Sequence, residues 1–173
     1  MITRILIVGS LVLSCSLCLA EDFPEGTSKV KSMTAEQAAK LVANTSGPLL
    51  SLDNLNSINS SVANSLGKFR GSWLRLNSLT SIDKDTAQEL AKFNGALYLD
   101  SLTWLDEDTA KKLAHFKGAV HPNCFRSFDK DTTQAVTQFK GAVYLYGLNS
   151  VDEGVLEILK SNPDIKLPEK YRD

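Results

Sequence analysis

Apolar residues recur along this chain in one fixed order. A pair separated by one residue comes first: Leu50/Leu52, Leu74/Leu76, Leu97/Leu99, Val120/Pro122, Val143/Leu145 and, closing the series, Ile165/Leu167. A further apolar residue follows three positions later, at Leu55, Leu79, Leu102, Phe125 and Leu148. Alternation of period two predicts a short strand whose two apolar residues point one way and whose middle residue points the other. Next comes an apolar residue just before a capping residue, in Met33-Thr34, Ile58-Asn59, Ile82-Asp83, Leu105-Asp106, Phe128-Asp129 and Val151-Asp152. Thr, Asn and Asp there accept hydrogen bonds from the free N–H groups of a first helical turn.

Four, seven and eight residues past each cap the pattern turns helical. It reads Ala87/Leu90/Ala91, Ala110/Leu113/Ala114 and Thr133/Val136/Thr137, with Ala38/Leu41/Val42 before them and Leu156/Leu159 after. That spacing is one face of a helix, and its small residues let helix and sheet approach closely. Acidic residues at Asp85, Glu107, Asp108 and Asp131 favour the positive end of each helix. A Phe-x-Gly punctuation follows, at Phe69/Gly71, Phe93/Gly95, Phe116/Gly118 and Phe139/Gly141, spaced 24, 23 and 23 residues. The glycines are expected to end the helices in the left-handed conformation.

A fixed period of this size means stacked strand–helix units, none of which can bury its apolar face alone. The run Leu-x-Leu-x-x-Leu-x-x-(Ile/Leu), continued by Ala-x-x-Leu-Ala-x-Phe-x-Gly, is clearest over Leu74–Gly95 and Leu97–Gly118. It resembles bacterial leucine-rich-repeat proteins of the 23-residue kind, from about Met33 to Leu167. Ser57, Ser81, Trp104, Ser127 and Ser150 stand near the place where that family carries Asn or Cys. The resemblance implies an α/β solenoid with a parallel sheet on one face and helices on the other. It also implies a noncatalytic binding scaffold, and it supplies no catalytic residue to carry over.

Residues 1–20 read as a secretory signal peptide: Arg4 is the positive region, Ile5–Leu13 the short apolar core, and small residues precede Glu21. The apolar run is shorter than the roughly 18 residues that a membrane span needs. Val12-Leu13-Ser14-Cys15 loosely resembles a lipobox, so lipidation at Cys15 is a second reading. Residues 21–32 carry Pro24 and Gly26 and read as a flexible lead, and 33–173 as the repeat domain. The expected location is therefore exported, periplasmic or secreted. Of the 19 Lys and Arg only Arg4 lies in the leader, and none of the 20 Asp and Glu does. That balance, interspersed along the helices, argues against nucleic acid as a partner. Cys124 alone of the 3 cysteines follows the leader, so no intrachain disulfide is expected.

Chemistry is sparse. The outward strand positions form one row, Ser51, Arg75, Tyr98, His121, Tyr144 and Lys166, and a second row, Asp53, Asn77, Asp100, Asn123 and Tyr146. The candidate binding strip is Arg75, Tyr98, Asp100, His121, Asn123, Tyr144 and Tyr146, because Tyr and Arg are favoured at binding hot spots. The partner class is a protein or a cell-envelope component. A hydrolase with a site around His121, Asp100 and Asn123 is the weaker reading, since no nucleophile elbow, phosphate loop or metal spacing accompanies these residues. His115, His121 and Cys124 lack the convergence that zinc requires, and no cofactor is expected. Trp73 and Trp104 read equally as exposed anchors or as covers for a turn. Asn44 and Asn59 begin glycosylation sequons, but Asn59 is better explained as a helix cap. Pro122 removes a ladder donor, so the sheet is expected to be disturbed there.

Overall fold

The computed structural model describes residues 30–123, 125 and 129–172. Residues 1–29, with Cys15 and the expected signal peptide, and Cys124, Ser127 and Phe128 lie outside the described residues. Within them six short strands alternate with six helices: α1 (Ala35–Asn44), β1 (Leu49–Ser51), α2 (Ser60–Leu66), β2 (Trp73–Arg75), α3 (Lys84–Leu90), β3 (Ala96–Tyr98), α4 (Glu107–Leu113), β4 (Val120–His121), α5 (Lys130–Val136), β5 (Val143–Tyr144), α6 (Glu153–Lys160) and β6 (Ile165–Lys166). All six strands form one sheet, in chain order and parallel throughout. The chain is therefore a repeating α/β fold, as the periodicity predicts. Among the described residues no helix is long and apolar enough to cross a membrane.

Each unit is closed by the same bonds. The strands end one residue before the second apolar position rather than on it, yet the ladder runs on: Leu52 N–H donates to Arg75 O at 2.9 Å, Leu76 N–H to Tyr98 O at 2.9 Å and Leu99 N–H to His121 O at 3.1 Å. The chain then turns, with Leu55, Leu79, Leu102 and Leu148 N–H donating back to Leu52, Leu76, Leu99 and Leu145 O at 3.0–3.1 Å. Pro122 has no N–H to offer, and β4 pairs with β5 through Val120 and Val143 alone.

All six capping residues stand where the sequence places them. Asn59 accepts from Val62 N–H at 2.9 Å, and Asp83, Asp106 and Asp129 accept from Thr86, Thr109 and Thr132 N–H at 2.7 Å each. The backbone N–H of Thr86 holds the Asp83 carboxyl below its ordinary range. Thr34 and Gln37 complete a reciprocal capping box. Asp152 caps α6 by position only, with no side-chain bond.

The core lies between the inward leucines of the strands and the inward face of the helices. Leu74, Leu76, Leu79, Leu90, Leu97, Leu99 and Leu102 have no exposed surface. Burying one leucine side chain is worth about 1.5–3 kcal/mol as an upper figure. The helix face is wider than the sequence spacing suggests. The residue three past the cap is also buried, as Val62, Thr86, Thr109, Thr132 and Val155, whereas Ala91 and Thr137 at its other margin, eight past the cap, are only partly covered. The phenylalanines of the return turns form a column, Phe69 over Phe93 at 6.0 Å and Phe93 over Phe116 at 6.3 Å between ring centroids.

The glycines correct the expectation placed on them. No described glycine has a φ in the left-handed region, and helices α2 to α6 end on right-handed residues, at Gly67, Ala91, Ala114, Thr137 and Ser161. What requires glycine is space. A Cβ on Gly95, Gly118 or Gly141 would run into the backbone carbonyl of Ser72, Gly95 or Gly118, one unit earlier. Absence of a side chain lets successive return turns stack backbone on backbone.

Candidate functional site

Parallel, in-register pairing puts equivalent residues of successive units side by side, about 4.8 Å apart. The register aligns Ser51 with Arg75, Arg75 with Tyr98, Tyr98 with His121, and Tyr144 with Lys166. The outward row read from the sequence is therefore physically continuous. Tyr98 and His121 stack at 4.4 Å between ring centroids and 9° between planes, and His121 and Tyr144 at 4.3 Å and 2°. Tyr146 meets Tyr144 edge-on at 5.5 Å, and the Arg172 guanidinium lies 5.9 Å from the Tyr146 ring. Aromatic contacts of this kind contribute about 0.5–1.5 kcal/mol each beyond their buried area.

The second row is tied along its length as well. Asn123 Nδ2 donates to Asp100 Oδ1 at 2.7 Å, and Asp100 N–H donates to Asn77 Oδ1 at 3.4 Å. Arg75 forms an ion pair with Asp53 at 3.2 Å, and Ser51 Oγ donates to the same carboxylate oxygen at 2.5 Å. The pair is partly exposed, which limits its worth to about 0–1 kcal/mol. Burial pushes the His121 imidazole below its ordinary range, opposed by the nearby Asp100 carboxylate. The neutral imidazole therefore dominates at pH 7, and Arg75 is offset by Asp53. The strip carries no net positive charge along its middle, where the Asp100 carboxylate is the one charge not offset by a cation among those named, with Lys166 and Arg172 at the C-terminal end.

All seven candidate residues lie on this one surface. Arg75, Tyr98, Asp100 and Asn123 line a shallow depression of about 350 Å³, together with Leu49, Trp73 and Asn77. His121 and Tyr144 continue the row beyond it, and Tyr146 stands exposed at the far end. Leu49 is the residue that sequence reasoning missed, and Trp73, read there as an exposed anchor or a turn cover, stands beside it. Trp73 does not cover a turn: it opens β2, opposite Leu49 of β1, and both are exposed, at 44% and 42%. The signal was available in the alternation, because Leu49 and Trp73 sit two residues before Ser51 and Arg75 and so share their face. Among the described residues Trp104 is the most exposed large apolar one, at 59%, and it lies outside this depression.

The metal reading gains nothing from the fold. His115 is exposed and its Nδ1 lies 3.1 Å from Lys111 O, Cys124 is outside the described residues, and among those described no three His, Cys, Asp or Glu side chains are grouped to hold an ion. No known protein family matches the chain, nor does any curated protein or any solved structure.

Proposed function

We propose that this chain is a noncatalytic, exported binding or scaffold module, a leucine-rich-repeat-like solenoid that presents its strand-lined face to a protein or cell-envelope partner. The observation that carries the reading is the continuous outward row, in which Tyr98, His121 and Tyr144 are stacked on adjacent strands beside the bonded row of Asn77, Asp100 and Asn123. Side chains held by one another lose little freedom on contact, which is the condition for efficient binding. The helix side offers the opposite chemistry. Lys84, Gln88, Lys92, Lys111 and Lys112 are solvated chains that are costly to immobilise. The leader with Arg4 and Ile5–Leu13 supports export.

The test is capture of partners from the native envelope or medium by two double variants. Replacing Tyr98 and Tyr144 by alanine should weaken capture while the protein stays folded. Replacing Lys111 and Lys112 should do little. Loss of capture in the lysine pair and not in the tyrosine pair would place the binding face on the helices and overturn the reading.

A further inference from the structure

We propose that the outward strand face binds a neutral, extended, β-linked polysaccharide that lies across the strands, one sugar unit to each strand; this rests on the reading of that face as the binding surface.

The geometry of the rings is the first argument. Tyr98, His121 and Tyr144 are stacked face to face, with planes within 9° and centroids 4.3–4.4 Å apart. Their faces are used against one another, so the row presents ring edges to the outside. It is a line of hydroxyl and imidazole groups, one per strand, and not an apolar platform. Asn77, Asp100 and Asn123 make a second such line, also one per strand, with amide and carboxylate groups. Two parallel rows of hydrogen-bonding groups repeat at the strand spacing of about 4.8 Å.

A ligand that engages both rows along their length must repeat at that spacing. An extended peptide advances about 3.4 Å per residue, and about 7 Å between side chains on one face, so it falls out of step within two strands. Nucleic acid needs a cationic track, and this strip pairs its Arg75 with Asp53 and carries the Asp100 carboxylate in its middle. A β-linked pyranose chain advances by close to one strand spacing per unit and carries hydroxyls along both edges. Such hydroxyls can donate to Asp100 and accept from amide and tyrosine groups. The ends of the strip fit the same ligand. The exposed indole of Trp73, beside Leu49, offers the apolar surface on which the C–H face of a sugar ring packs. The near-neutral imidazole of His121 leaves no positive charge in the middle of the row to demand an acidic polymer.

The test is calorimetric titration of the protein with β-1,4-linked oligosaccharides of the cello and chito series, from disaccharide to hexasaccharide. Affinity should rise by about tenfold or more between disaccharide and tetrasaccharide and then level off, because the rows from Trp73 to Tyr144 span four strands. Tyr98→Phe keeps the ring stack and removes one hydroxyl, and should weaken the longer oligosaccharides about fivefold, as expected for one hydrogen bond. Trp73→Ala should weaken every member of the series. Circular dichroism on each variant establishes that it is folded. Absence of binding by both series, or an affinity that does not change with length, overturns the proposal. If a polypeptide partner is instead lost on Tyr98→Phe while no oligosaccharide binds, the occupant is a peptide: this inference fails and the binding face stands. If only the Lys111/Lys112 variant loses its partner, the face itself is wrongly assigned, and both fail.

Discussion

Gly118→Ala and Gly154→Ala are the same chemical change with opposite expected outcomes. At Gly118 a Cβ would collide with the carbonyl oxygen and carbon of Gly95 in the preceding return turn. These are backbone atoms, and backbone cannot rotate aside as a long side chain can. The turn is also held from its other side, because Gly141 approaches the Gly118 carbonyl just as closely. Relief therefore requires one unit to move against the next, which separates β3 from β4 or opens the Phe93–Phe116 contact. Overpacking of this kind costs about 1–3 kcal/mol, and with backbone on both sides the upper part of that range applies. At Gly154, in the first turn of α6, a Cβ meets nothing within 4 Å. There alanine lowers the entropy of the unfolded chain and should stabilise by about 0.4–1 kcal/mol. Urea denaturation of both variants beside the parent measures the difference. Equal stability of Gly118→Ala and the parent would refute the backbone-on-backbone stacking of the return turns.

Other perturbations follow from the same structure. Leu90→Ala and Leu113→Ala should each cost about 2–5 kcal/mol, the range for truncating a buried leucine, and a change under about 0.5 kcal/mol in denaturation would show that the helix column is not buried. Asp106→Ala removes the acceptor of Thr109 N–H and should cost about 1 kcal/mol, while Asp152→Ala, which lacks such a bond, should cost clearly less in the same thermal melts. The folded pKa of His121 is lowered, so between that value and the ordinary one near 6.5 the unfolded chain binds more protons than the folded one. Stability should therefore fall as pH drops through that window, and the dependence should weaken in His121→Phe; a melting temperature that rises on acidification below pH 6.5 would contradict the sign.

Much of this fold is legible in the sequence because each unit repeats the same apolar order. Leu74, Leu76 and Leu79 have no other role than to fill the core, and the caps at Asn59, Asp83, Asp106 and Asp129 are short-range features that depend on neighbours in sequence. The misreadings arise where a residue's reason lies one unit away. Gly95 looks like a helix terminator in its own unit, but its small size is required by Ser72 of the preceding one. Thr86 and Thr109 look like polar first-turn residues, yet both are fully buried beneath short helices whose covered face is broader than one stripe. The candidate strip was legible as two rows of residues because strand alternation alone assigns them to the outside. Its ring stacking and the Asn123–Asp100 bond depend on register, which only the assembled sheet supplies.

In-register stacking of the units turns equivalent strand positions into a continuous, ordered surface row, and the binding surface depends on it. Proton NMR of the histidine rings tests this most directly. The chain has 2 histidines, and a His115 variant assigns the signals. With its ring sandwiched between Tyr98 and Tyr144 at 4.4 and 4.3 Å, His121 should show ring-current upfield shifts that are absent from the exposed His115. These shifts should collapse when both tyrosines are replaced by leucine. Ring protons of His121 at ordinary positions, unmoved by the tyrosine replacements, would contradict the row and the surface built from it.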